Sequence, residues 1–176
     1  STNLLPLIVG TGAIRTEEAI AYATHAREIG ADAILVASPP YAVPSEEENA
    51  AHALAIDKAA GLPIMLYNYP GRMGVSMGED YFTRVSASKN VIAIKESSGD
   101  LGQLHLLARR FPNIALSCGW DDLALEFFAW GAPSWVCAGS GAVAKMASGT
   151  NVTSSAFTRA DTRTTIRPSS QLARGA

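Results

Sequence analysis

The stretch NVIAIKESSGD, residues 90 to 100, carries four apolar residues into Lys95 and then into a polar, small-residue segment. Two chemistries fit an amine at the end of an apolar run. Burial disfavours a charged amine, and the neutral amine is the nucleophile that forms a Schiff base with a carbonyl compound. Alternatively, the side chain leaves the strand and reaches into water. Tyr67, at the end of the preceding run LPIMLY, offers a phenol able to pass protons to and from a carbinolamine, or a ring that fills space. Arg72, in PGRMG, has the planar fork that pairs with a substrate carboxylate, or is an ordinary loop arginine. Position alone leaves each pair of readings open.

Other residues carry weaker signals. Gly10-Thr11-Gly12 could cradle a phosphate, but the third glycine and the ribose-binding acid of a dinucleotide fingerprint are missing. His25, His52 and His105 fall in helical segments without metal-ligand spacing, which points to surface or packing roles. Asp121 and Asp122 read as caps of the helix LALEFFAW, and Glu46, Glu47 and Glu48 as a solvated first turn favoured by the helix dipole. Cys118 and Cys137 sit among small and apolar residues, as buried thiols in a reducing compartment do.

The elements that must position these side chains recur along the chain. Short Ile, Val and Leu runs, LPLIV (5 to 9), AILVA (33 to 37), LPIMLY (62 to 67), VIAI (91 to 94), IALSC (114 to 118) and SWVCA (134 to 138), predict strands buried on both faces. Between them lie helical patterns: RTEEAIAYATHAREIGA with Thr16 as N-cap and Gly30 as stop, then helices opened by capping boxes at Ser45 to Glu48 and Ser76 to Glu79. Strand alternating with helix predicts parallel strands with right-handed crossovers, in a doubly wound sheet or a (β/α)8 barrel. In both, ligands bind at the C-terminal strand ends, where Lys95 and Tyr67 stand.

At 176 residues and 48% hydrophobic, the chain has the material for one sizeable core. A net charge of −2 and the lack of a dense basic stripe before the last thirty or so residues argue against a nucleic-acid partner. No apolar run approaches the roughly 18 residues of a membrane span, and no secretory leader is visible. The expectation is a soluble cytoplasmic protein. From about Ala144 the composition turns to Ser, Thr and Arg without apolar periodicity, so residues 144–176 read as a disordered or non-native tail, from a frame change or foreign sequence, behind a domain at 1–143.

With these residues in place, the sequence resembles the dihydrodipicolinate synthase/N-acetylneuraminate lyase family of Schiff-base aldolases. The resemblance rests on GADAILVASPPY, LPIMLYNYPGRMG, NVIAIKESSGD and GWDDLALEFFAWGA, and spans roughly residues 5 to 140. It implies a partial (β/α)8 TIM barrel of about six βα units, strands 3 to 8 of the family barrel. It further implies that Lys95 forms an imine with pyruvate or another 2-oxo acid, that Tyr67 relays protons, and that Arg72 helps bind a substrate carboxylate. Backbone near Val136 would line the pocket, and Tyr41 would reach a neighbouring subunit's site. The implied partners are a small 2-oxo acid and further copies of the chain in a dimer or tetramer; no cofactor and no metal are implied.

Three departures qualify the resemblance. The family's first two βα units are absent, together with a threonine-bearing loop that holds the substrate carboxylate. Pro40 replaces the first residue of a usual Tyr-Tyr pair. After CAGS the family's Asn-containing loop does not follow. An inactive truncated or frameshifted fragment is therefore the alternative to a lyase, and a nucleotide-binding doubly wound domain is a third.

Overall fold

The computed structural model describes residues 6–136, and those residues form one parallel sheet with its helices. β1 (Ile8–Gly10) leads into α1 (Thr16–Glu28), and β2 (Ala33–Ala37) into α2 (Glu46–Ala60). β3 (Ile64–Asn68) is followed by the single turn α3 (Pro70–Met73) and by α4 (Glu79–Val85). β4 (Val91–Glu96), α5 (Leu101–Arg110), β5 (Ala115–Cys118), a 3-10 turn (Asp121–Leu123), α6 (Ala124–Ala129) and β6 (Ser134–Trp135) complete the series.

All six strands pair in parallel, in the order β1-β2-β3-β4-β5-β6. A doubly wound sheet needs a point where the strand order reverses, and this sheet has none. The structure is a partial (β/α)8 barrel, and the doubly wound alternative is excluded.

Side chains alternate across each strand, and the two faces differ in what they meet. Ile34, Val36, Ile64, Leu66, Ile94 and Leu116 pack with helix residues such as Ala23, Ile56, Phe82 and Leu104 in one apolar cluster. Five of these strand residues are fully buried, each burial worth about 1.5–3 kcal/mol, so the helix-facing side supplies the cohesion. The opposite face carries Leu35, Ala37, Tyr67 and Lys95, all half-buried. That face is the one left for chemistry.

The predicted strands recur within a few residues. Cys137 and Ala138 of the sixth run, and the 143/144 domain boundary with the tail beyond it, lie outside the described residues. Several helix starts differ from expectation. Thr16 is the first helical residue, not the N-cap, which is Arg15; its hydroxyl pairs with His52 Nδ1 at 2.9 Å. The Ser45 to Glu48 capping box forms in full. Ser76 caps nothing: α4 opens after Gly78, and its Tyr81 N–H donates to the Glu46 carboxylate of α2 at 2.8 Å. Glu46 is therefore a cap delivered from another helix. Asp121 belongs to the 3-10 turn and accepts the Trp135 indole N–H at 3.0 Å, while α6 starts after Leu123 without a side-chain cap.

Candidate active site

Tyr67 and Lys95 come together because of a one-residue register shift. β3 pairs Ile64 with Val91 and then Met65 with Ala93, so Ile92 is passed over. Without that shift Tyr67 would lie opposite Ile94; with it, Tyr67 lies opposite Lys95 and both point to the same face. The Lys95 Nζ stands 4.3 Å from the centroid of the Tyr67 ring. A ring face attracts a cation at that distance, so the pair seats an ammonium or any cation that replaces it. Two rigid, adjacent strands hold the arrangement.

Gly119, just past β5, makes room for the lysine stem. A Cβ at that position would lie 3.0 Å from Lys95 Cγ and 3.0 Å from the Glu96 carbonyl oxygen, and would overlap Ser97 Oγ. Ser97 Oγ is itself held, donating to the Gly119 carbonyl at 3.1 Å. Ser117 pairs with Lys95 across β4 and β5, and its buried hydroxyl has no hydrogen-bond partner.

The rim above the pair is aromatic. Tyr69 sits 5.9 Å from Tyr67 and 6.3 Å, edge to face, from Trp120. The Arg72 guanidinium lies 5.6 Å from the Tyr69 ring. Arg72 was expected in a loop; it is in the helical turn α3, exposed, with its fork available to an anion.

Behind the pair, on the helix-facing side, Asn68 and Glu96 follow Tyr67 and Lys95 in sequence and are each 1% exposed. Asn68 Nδ2 donates to Glu96 Oε2 at 2.8 Å, the Ser98 N–H donates to Glu96 Oε1 at 2.6 Å, and the Met77 N–H donates to Asn68 Oδ1 at 3.1 Å. Burial pushes the Glu96 carboxyl above the usual carboxylate range, against these hydrogen bonds, which favour the charged form.

Not every expected residue joins the group. Tyr41 is 91% exposed and adopts φ 65°, a left-handed conformation uncommon outside glycine. Val136 is exposed, and its N–H donates to the Cys118 carbonyl at 2.8 Å at the end of β5. In the GTG segment Thr11 bonds back to the Leu35 carbonyl through both its N–H and its hydroxyl, which ties it to β2. His25 lies beside Glu28 on the surface and His105 stacks on Trp130 at 4.2 Å. Among the described residues, no three His, Cys, Asp or Glu side chains group as metal ligands would, and no helix is long and apolar enough to cross a membrane.

Asn68, Tyr69, Glu96, Gly119 and Trp120 are marked in the sequence as strand-end neighbours but given no role by it. Each stands within two residues of a strand end, and NYP, KES and CGW hold them. Their partners depend on strand register, which no local pattern specifies.

Comparison with known proteins adds the following. The model of the dihydrodipicolinate synthetase family matches residues 2–157. The 4-hydroxy-tetrahydrodipicolinate synthase of Geotalea daltonii is 40% identical over 129 residues, covering 73% of this chain and 44% of that protein. The Neisseria meningitidis synthase is 38% identical over 143 residues, covering 81% and 49%. Among solved structures, the chloride-inhibited dihydrodipicolinate synthase of Acinetobacter baumannii complexed with pyruvate superposes with a TM-score of 0.74 at 35% identity, over 83% of this chain and 49% of that one. The synthase of Methylacidiphilum fumariolicum SolV gives 0.72 at 36%, over 75% and 45%. The chain spans less than half the length of each of these relatives.

Proposed function

The chain belongs to the dihydrodipicolinate synthetase family, and on that premise we propose that it carries the imine-forming centre of a lyase acting on pyruvate or another 2-oxo acid. The observation that carries this reading is the Lys95 amine poised 4.3 Å from the Tyr67 ring at neighbouring strand ends. A structural relative described as complexed with pyruvate supports the choice of substrate class.

In this reading the neutral Lys95 amine adds to the C2 carbonyl carbon. The C–N bond forms as the carbonyl π pair moves to oxygen; that oxygen takes up a proton and the nitrogen, now cationic, releases one, giving a neutral carbinolamine. Expulsion of that oxygen as water needs a second proton and leaves a protonated imine. Moving these protons is assigned to the Tyr67 hydroxyl. Its ring faces a cation at the two ends of this sequence, the ammonium before addition and the iminium after water has left. The iminium then accepts the electron pair released when a C3 proton leaves or a C3–C4 bond breaks.

Arg72 is assigned to a substrate carboxylate, which it meets with two parallel N–H donors, and backbone near Val136 to the pocket wall. Tyr41, extended into solvent, is assigned to a neighbouring subunit's site in a cytoplasmic homo-oligomer. The test is reduction of a mixture of the full chain and pyruvate with borohydride, followed by mass mapping. A single reduced adduct on Lys95, lost in Lys95→Ala, is expected; labelling of another lysine overturns the assignment.

A further inference from the structure

The buried pair behind the site has a direction built into it. The Met77 N–H can only donate, so the Asn68 oxygen must face it, and the Asn68 amide nitrogen must then face Glu96. The Ser98 N–H, also a donor, meets the other Glu96 oxygen. Both carboxylate oxygens accept, and position 96 must therefore present two acceptors. A glutamine there would set one amide against another donor.

What this chain of bonds joins gives it a role. Asn68 ends β3 one residue after Tyr67, and Glu96 ends β4 one residue after Lys95. Met77 closes the segment that carries Arg72, and its carbonyl is held in turn by Gln103 Nε2 at 2.7 Å. A bond between the two strand ends, on the face away from the substrate, fixes the spacing of the two residues on the face toward it.

We propose that Asn68 and Glu96 are positioning residues: their directional clamp locks the ends of β3 and β4 so that the Lys95 amine keeps its 4.3 Å seat on the Tyr67 ring and the Arg72 segment stays docked. The proposal rests on the lyase reading for its chemistry, while the clamp itself stands on the hydrogen bonds. Orientation errors of about 1 Å cost on the order of a hundredfold in rate, so a device of this kind acts mainly on the rate constant and little on substrate affinity.

The test exploits the direction of the bonds. In the double variant Asn68→Asp/Glu96→Gln, an aspartate at 68 accepts from the Met77 N–H and from the amide at 96, whose oxygen still accepts from the Ser98 N–H. The clamp is restored with its polarity reversed. The full chain and its variants are mixed with pyruvate over a range of concentrations, reduced at timed intervals, and assayed for the Lys95 adduct; melting temperatures are recorded alongside. Glu96→Gln and Asn68→Asp are each expected to slow adduct formation about tenfold or more at saturating pyruvate, with half-saturation nearly unmoved, and the double variant to recover to within about threefold of wild type. Unchanged single-variant rates beside lowered melting temperatures make the pair merely structural and overturn the proposal. So do losses that add in the double variant.

If a single variant does not fold, the double variant decides: near-native trapping supports the clamp, and a folded but slow protein refutes it. If wild type itself forms no adduct, the lyase reading fails separately. The clamp is then judged on the melting temperatures, where additive losses refute it and recovery in the double variant supports it.

Discussion

In the proposed lyase Tyr67 would hold two functions in one side chain, and substitutions separate them. Its ring faces the Lys95 Nζ, and its hydroxyl is the proton-moving group of the proposed lyase. Tyr67→Phe keeps the cation seat and removes the proton path, so the Lys95 adduct with pyruvate should still form but more slowly, by about 10²–10⁴-fold in single-turnover trapping. Tyr67→Ala removes both and should be slower again. Equal rates for the two variants would leave the ring without a role. Gly119→Ala tests the lysine stem from the other side. The added methyl meets the Glu96 carbonyl oxygen, the Lys95 Cγ and the hydrogen-bonded Ser97 hydroxyl, so backbone or lysine must move. A loss of about 1–3 kcal/mol in urea denaturation is expected, with slower trapping. A variant as stable and as reactive as wild type would show that the contact is soft.

Helix α4 depends on a carboxylate that belongs to α2. Glu46→Ala leaves the Tyr81 N–H without its acceptor and should cost about 1 kcal/mol in urea denaturation. The neighbouring Glu47→Ala breaks only an exposed 3.5 Å pair with Arg84 and should cost less than about 0.5 kcal/mol. Equal losses would contradict the cap. Helix α1 is tied to α2 by Thr16 and His52, and burial holds His52 below its ordinary value of 6.5. The unfolded chain then takes up this proton at higher pH than the folded chain does. The stabilisation is complete above about pH 6.5 and is lost as pH falls from there through the lower folded value. Melting temperature should therefore fall more steeply between about pH 7 and pH 5 in wild type than in His52→Gln; parallel curves would remove His52 from the account. These elements also mark what the sequence discloses. The Ser45 box was legible because both partners lie three residues apart, whereas the cap of α4 comes from 35 residues away and Ser76 only mimicked it. Lys95 and Tyr67 were legible as strand ends. Their meeting depends on the register shift past Ile92, which no run of apolar residues records.

Residues 6–136 build a sheet whose strands follow chain order, and that order was readable from the alternation of strand and helix once the family motifs had separated a barrel from a doubly wound sheet. The same order has a physical consequence. Among the described residues β1 and β6 each pair on one side only, so each presents a row of backbone donors and acceptors to whatever lies beside it. Apolar side chains are exposed on α6 and just past β6: Leu125 is 77% exposed, Phe128 lies one helical turn further along α6, and Val136 is exposed after β6. Leu125 and Phe128 share a helix face at i, i+3 spacing. A net charge of −2 offers little repulsion between copies. Strands that pair on one side only among the described residues, together with exposed apolar side chains on α6, should therefore draw chains together at micromolar concentration, read as a mass above that of one chain in sedimentation or light scattering. Leu125→Lys with Phe128→Lys should shift that equilibrium toward the monomer while leaving the melting temperature of the dilute protein nearly unchanged, because both side chains are solvent-facing in the single chain. A wild-type chain that stays monomeric over a hundredfold concentration range would show that the β6 edge is already protected. The paired lysines would then have nothing to disrupt.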